Sequence, residues 1–360
     1  MVKGSSLKGG PPSDHGVAAG QDVFELRDGT RFRLDAAQPH VDVFRRLVEE
    51  SEALGRPLYV ERQIGDEELA RSVLLSKRRR IMEIGEEDNR MVPVLFEVSH
   101  AQTFIDLDSP DGEMMLAHAR EAVARDIPVF FVMRAVNAKI SGLQISTEQN
   151  PVSSDATAIP LALTKGSKAD PLSGAELETA YNICAGLDYI PFSYPGDCCA
   201  YRAWEMRRTL NDSGFECGKL FLYPGSNNSL KVSTANHPDG YVCWTYHVAP
   251  IVYVTSGAGP EPYVIDPSLF ERPATQQQWV DRQPSRKSGG ENRSFREVGG
   301  QVFFRAKGAS DGDVDQSPMN NRRNPGNPSE EAKAVKTEFL IHYGEKIDLS
   351  MRTGPYKKGC

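Results

Sequence analysis

Apolar and polar residues alternate with a period of two in "VFELRDGTRFRL" (residues 23–34), which predicts two short strands around a hairpin turn at Asp28-Gly29. The next stretch, "HVDVFRRLVEESEALG", changes period. Val43, Leu47 and Leu54 fall at helical spacings, Gly55 supplies a stop, and "RPLYVER" follows as a strand. Further on, "DLDSPDGEMMLAHAREAVARDIPVFFVMR" repeats the order loop, helix, proline, apolar strand. Pro39 and Pro57 fall against Pro110 and Pro128 at a common offset of 71 residues (128 − 57), which suggests a duplicated helix–strand module. Between the copies, "DEELARSVLLSKRRRIMEIG" predicts a helix and "MVPVLFEVSH" a strand, so residues 21–149 read as a small α+β region. Residues 1–20, rich in Gly, Ser, Pro and Lys, read as a disordered leader. Residues 150–174 cluster Pro, Ser, Thr and Gly without periodicity and read as a linker.

Beyond the linker, "AELETAYNICAGL" and "CCAYRAWEMRRTLNDSG" predict helices. The strands "KLFLYP", "GYVCWTYHVAPIVYV", "EPYVIDP" and "QVFFRA" then dominate a second α+β region over 175–345, with a tail from 346 to 360. Between Lys307 and Lys333 lies a polar insertion rich in Asn and Pro. Its Asp311, Asp313 and Asp315 alternate as in a calcium loop, but Gln316 and Arg322 stand where that loop needs Gly and Glu, so no metal is expected.

Composition narrows the function classes. A chain of 360 residues with 39% hydrophobic and 25% charged residues can fold as more than one domain. Its net charge of −7 argues against a general nucleic-acid binder. The basic run Lys77 to Arg80 reads as a solvated helix face, because Glu83, Glu86 and Glu87 follow it. No apolar stretch approaches the roughly 18 residues that span a bilayer, so no membrane association is expected. The N-terminus lacks the apolar region of a Sec signal. Six cysteines are too few for a disulfide scaffold, and spacing does not pair Cys184, Cys217, Cys243 and Cys360.

Two of the six are adjacent, in "PGDCCAYRAWEMRR", with Asp197 a candidate N-cap and Gly214 a C-terminal stop. A cysteine in a first helical turn lies at the positive end of the helix dipole, which favours the thiolate and can hold an oxyanion. His247 follows in an aromatic strand and Asp266 ends another strand, at intervals of 48 (247 − 199) and 19 (266 − 247) residues. Thiol hydrolases order nucleophile, base and orienting acid in this way. A buried structural cysteine, a core histidine and a turn-forming aspartate fit the same residues, so pattern alone leaves both readings open.

The stretches "YPGDCCAYRAWEMR", "NDSGFECGKLFLY", "WTYHVAPIV" and "VIDPSLF" resemble the bacterial protein-glutaminase family, in its proenzyme form. That family's motif runs Tyr-Pro-x-Asp-Gly-Cys-x-x-Arg-Ala. Tyr194, Pro195, Asp197, Arg202 and Ala203 match it, and Cys198 stands in place of the glycine. "GQVFFR" and "TEFLIHYG" also resemble family strands. The resemblance implies a papain/transglutaminase-like catalytic domain and a Cys-His-Asp triad of Cys199, His247 and Asp266 that deamidates protein-bound glutamine. It implies no cofactor, a propeptide from about residue 90, an activating protease at the linker and a monomeric chain acting on proteins or peptides with exposed glutamine. Trp244 and Tyr246 would flank the substrate cleft. The resemblance also implies export, as a non-Sec effector or a chain lacking its leader, with cytoplasmic residence left open. A transglutaminase, a cysteine protease or a non-catalytic binding module would be compatible with the same residues.

Overall fold

Chain contacts divide the protein into two units, one formed by residues 1–149 with 337–359 and the other by residues 150–336. The computed structural model describes residues 14–18, 21–26, 29–146, 166–168, 170–225, 229–286, 292–305, 314–315 and 328–352. Most of the expected linker, of the calcium-like loop and of the leader lies outside these residues.

The first unit opens with β1 (Asp14–Ala18), β2 (Gln21–Glu25) and β3 (Arg31–Asp35), followed by α1 (Val41–Leu54), β4 (Leu58–Gln63) and β5 (Asp66–Leu75). Strands β2 and β3 form the expected hairpin, with Glu25 opposite Arg31. Gly55 ends α1 with φ +66°, a left-handed stop that costs glycine little. The sheet order is β1-β2-β3-β5-β4, parallel only between β3 and β5.

A second sheet follows: β6 (Lys77–Arg79), β7 (Ile81–Ile84), β8 (Met91–Phe96), β9 (Thr103–Asp106), β10 (Val129–Arg134) and β11 (Lys139–Ile145), with α2 (Gly112–Ala124) after β9. Its order is β7-β8-β9-β11-β10-β6, again parallel only between the third and fourth strands. Each strand of the first sheet therefore has its counterpart in the second. The parallel bridges begin at Arg33 and Phe104, 71 residues apart (104 − 33). The proline offset reflects a duplicated topology; the two copies have separate apolar cores, and the first also takes in Leu340, Ile341 and Ile347.

Residues 66–84, expected as a helix, are strands. Glu, Leu, Ala and Arg favour helix locally, but long-range pairing of Leu58 with Leu75 and Val60 with Val73 prevails. The turn into β5 uses Gly65 at φ +88°, a hairpin signal hidden by the charged residues after it. The basic run is likewise no solvated helix face: Lys77 and Arg79 are buried in β6, each in an ion pair.

In the second unit, α3 (Gly174–Ala185) starts at a capping box between Ser173 and Glu176 and is followed by α4 (Cys199–Asp212). Then come β12 (Gly218–Tyr223), β13 (Leu230–Ser233), β14 (Tyr241–Trp244), β15 (His247–Ser256) and β16 (Gly259–Val264). The unit continues with β17 (Ala274–Thr275), α5 (Gln276–Asp281), β18 (Ser294–Val298), β19 (Phe304–Arg305) and β20 (Val314–Asp315). The main sheet runs β17-β16-β15-β12-β18, entirely antiparallel, and β13-β14 form a separate hairpin. Leu220, Leu222, Ala249, Ile251 and Val264 of the sheet share a core with Val232, Trp244 and Trp279. The strand expected over 240–254 is broken at Thr245-Tyr246, so His247 begins β15 and lies at its edge of the core. Within the linker region, Leu172 already bridges Val254.

The final helix, α6 (Pro328–Ser350), passes from the second unit into the first, where its residues from Thr337 onward belong. The strand expected at 337–344 is therefore helix, and the expected tail begins as its last turn. The whole is a mixed α+β fold. Among the described residues no helix is long and apolar enough to cross a membrane.

Candidate active site

The loop entering α4 is fixed before the helix begins. Arg202, one turn into α4, reaches back and donates from Nη1 to the carbonyls of Phe192 (3.3 Å) and Tyr194 (3.2 Å). Trp244 Nε1 donates to Pro195 O at 2.9 Å. A side chain at Gly196 would meet the Tyr194 hydroxyl at 2.5 Å, so the close turn requires glycine there.

The helix cap differs from expectation. Cys198, not Asp197, occupies the N-cap position, and the Asp197 carboxylate accepts the Cys198 N–H at 2.8 Å. Cys198 has φ +94°, in the region where a β-carbon is disfavoured by about 1–2 kcal/mol. This gives a physical reason for a glycine in the resembling motif. Replacing Cys198 by Gly or Ala removes the same sulfur, but only Gly removes the strained β-carbon. The C198G variant is therefore expected to unfold about 1–2 kcal/mol above C198A in urea, and equal stabilities would contradict the backbone argument.

Cys199 is the first residue of α4, and its Sγ lies within 4.8 Å of a ring nitrogen of His247. The first intrahelical bond runs from Arg202 N to Cys198 O at 2.9 Å, leaving the N–H groups of Cys199, Ala200 and Tyr201 ahead of it. His247 Nε2 is 2.8 Å from Asp266 Oδ2. The same carboxylate oxygen accepts Trp279 Nε1 at 2.8 Å, while Asp266 Oδ1 accepts from Ser268 N (3.1 Å) and Ser268 Oγ. Indoles flank the imidazole, Trp244 with ring centroids 4.5 Å away and Trp279 at 5.4 Å, both stacked. Tyr246 is buried, hydrogen-bonds Cys199, and packs among Phe221, Tyr223 and Phe304.

Burial and charge set the protonation of this row. Burial would raise the Asp266 pKa, but the His247 charge and hydrogen bonds from His247, Ser268 and Trp279 outweigh it and hold the carboxyl well below its ordinary range. Burial pulls the His247 imidazole below its ordinary value, opposed by Asp266. Burial also pushes the Cys199 thiol well up, against the nearby Arg202 charge. The helix-start expectation of a thiolate is thus overridden in this chain: desolvation disfavours both members of a thiolate–imidazolium pair. Iodoacetamide labelling of Cys199 in the intact chain should rise about tenfold per pH unit through pH 7–8, as the thiolate fraction grows. A rate flat across that range would show that the ion pair is already formed.

The sequence reading named Cys199, His247, Asp266, Trp244 and Tyr246, and the structure draws all five together. Trp244 and Tyr246 are both buried, the first against the imidazole and the second against the thiol. Sequence reasoning missed Trp279 and Ser268, which hold the carboxylate. Ser268 had a signal in its place two residues after Asp266, a spacing at which a carboxylate caps the following backbone N–H. Cys184 and Cys217 are free buried thiols, whereas Cys243 is disulfide-bonded.

Residues 177–283 match a protein-family model described as Glutaminase. Among solved structures, the chain is similar to a crystal structure of pro-protein-glutaminase, at 24% identity over 64% of this chain and 85% of that one, with a TM-score of 0.44. It is also similar to a crystal structure of protein-glutaminase, at 29% identity over 41% of this chain and 80% of that one (TM-score 0.34). The NMR structure of protein-glutaminase from Chryseobacterium proteolyticum matches at 28% identity over 39% and 78%, with a TM-score of 0.32. Among curated proteins none matches the chain.

Proposed function

We propose, from the premise that residues 177–283 belong to the glutaminase family, that this chain is an amide hydrolase that converts glutamine side chains of proteins to glutamate. The observation that carries the reading is the continuous row from Asp266 through His247 to Cys199, lying wholly inside the matched segment.

With Nε2 engaged by Asp266, His247 uses Nδ1 to take the Cys199 proton as sulfur attacks the glutamine carboxamide carbon. The S–C bond forms, and the carbonyl oxygen becomes an oxyanion beside the N–H groups that open α4. His247 returns the proton to the departing nitrogen, the C–N bond breaks and ammonia leaves. Water then attacks the thioester with His247 as base, the S–C bond breaks, and the thiol and a glutamate carboxylate result. Asp266, itself oriented by Trp279 and Ser268, keeps the imidazole in the required tautomer and stabilises its cation. The helix-plus-antiparallel-sheet setting fits a papain/transglutaminase-like arrangement. The aromatic walls of Trp244 and Tyr246 would line the approach of the substrate once the site opens.

In the same reading, the N-terminal unit acts as a pro-region and an activating protease cuts the segment before residue 166. Its substrates are proteins with exposed glutamine, encountered after export. The neutral thiol and imidazole of the uncut chain fit a restrained enzyme. The test is ammonia release from a glutamine-rich protein such as casein, before that cut and after it with the N-terminal unit removed. Ammonia without cross-links or new chain ends after the cut supports the reading. Cross-linking would make the chain a transglutaminase, and new termini a protease.

A further inference from the structure

The helix that ends the described chain is built into the unit proposed to be removed. From Thr337 to Leu349 only Tyr343 and Lys346 escape burial, so this half of α6 is a core element rather than an amphipathic surface helix. Leu340, Ile341 and Ile347 share one core with Phe32, Phe44, Leu47 and Val73 of the first module. Gly344 lets the backbones close: a β-carbon there would meet Leu47 Cδ1 at 2.8 Å.

Polar contacts fix the register. Glu338 and Glu345, two helical turns apart on one face, pair with Arg79 (2.8 Å) and Lys77 (2.9 Å), alternate residues of β6. All four side chains are at most 5% exposed. Arg71 donates to Met351 O at 3.2 Å, and Asp348 lies between Arg352 (2.6 Å) and Arg134 (3.7 Å). The basic run of the sequence therefore serves as a socket for this acidic helix. The second module's core, by contrast, is made of its own residues alone.

We infer that cutting the chain before residue 166 does not release the N-terminal unit, because the catalytic fragment still carries α6, and α6 anchors that unit non-covalently. The inference rests on the pro-region reading for its regulatory meaning: activation requires a second event, either the undocking of α6 or a cut ahead of α6 with the disulfide of Cys243 opened. Until then the N-terminal unit stays at high local concentration beside the enzyme that it restrains.

The test uses the full chain, kept in a reductant that opens the disulfide of Cys243, with one specific protease site placed within residues 150–165 and a different one within residues 316–327. After the first cut alone, the two fragments are expected to co-elute in gel filtration at micromolar concentration. After both cuts, the N-terminal fragment is expected to retain α6 and to separate from the catalytic fragment. Separation after the first cut overturns the inference, as does continued co-elution after both. With casein as substrate, ammonia release should rise about tenfold or more on the second cut. An unchanged non-zero rate overturns the regulatory part. The elution result does not depend on activity, so co-elution followed by separation with no ammonia from any form would sink the deamidase reading while leaving the anchor standing.

Discussion

Replacing Cys199 by alanine is expected to lower ammonia release from the chain freed of its N-terminal unit by about 10³-fold or more, with the unfolding transition little changed. In the proposed mechanism the sulfur carries the acyl group, so without it no thioester forms, whatever the N–H groups at the start of α4 contribute. Cys198 does not substitute. It lies at the N-cap in a left-handed conformation, whereas Cys199 is the residue whose Sγ lies beside His247. C198A should therefore keep activity within a small factor of the parent. A pair of variants with the reverse pattern would assign the nucleophile to Cys198.

Asp266→Asn is expected to lower the rate by about 10²–10⁴-fold and to destabilise the fold as well. Both carboxylate oxygens accept hydrogen bonds: Oδ1 from two groups of Ser268, and Oδ2 from His247 and Trp279. An asparagine has one such oxygen. Either orientation turns its amide donors toward two other donors in a buried site, at a cost of about 1–3 kcal/mol for each group left unsatisfied. The pH dependence has a definite sign. Because the folded-state pKa of Asp266 is depressed, its stabilising contribution is present above the ordinary carboxylate pKa near 4 and is lost as pH falls below it toward the folded value. Urea titrations from pH 7 to pH 3 should show a smaller loss of stability for the variant than for the parent. An equal loss would mean that Asp266 is not charged in the folded protein.

Local chemistry made the candidate row legible. A cysteine at a helix start, a histidine in an aromatic strand and an aspartate before Pro267 each carry a local signal, and the motif around Arg202 fixed the register between Cys198 and Cys199. Trp279 gave no such signal. It lies in the short helix "QQQWVD", and only the fold turns its indole toward Asp266. The thiol's protonation was illegible for a similar reason: a helix start favours thiolate, but the burial that reverses the preference is a tertiary property.

The fold divides along the same line. Helix α1 and the β2–β3 hairpin were evident from period and stop residues, and the prolines disclosed the duplicated topology. Residues 66–84 were misread because their helix-forming composition yields to pairing with β4. Residues 337–344 were misread because a helix buried on nearly every side has no polar face, and its apolar run imitates a strand. The same burial explains Lys77 and Arg79, whose partners lie more than 250 residues away in sequence, beyond any local pattern.

If the thiol hydrolyses a side-chain carboxamide, oxygen from water enters the product. Mass spectrometry of a glutamine-containing protein, treated in heavy-oxygen water with the chain freed of its N-terminal unit, reads this. Glutamine is expected to become glutamate with one heavy oxygen in the new carboxylate and equimolar ammonia, and neither product is expected with C199A. Heavy oxygen in new chain ends, or glutamine joined to lysine without water-derived oxygen, would contradict side-chain hydrolysis.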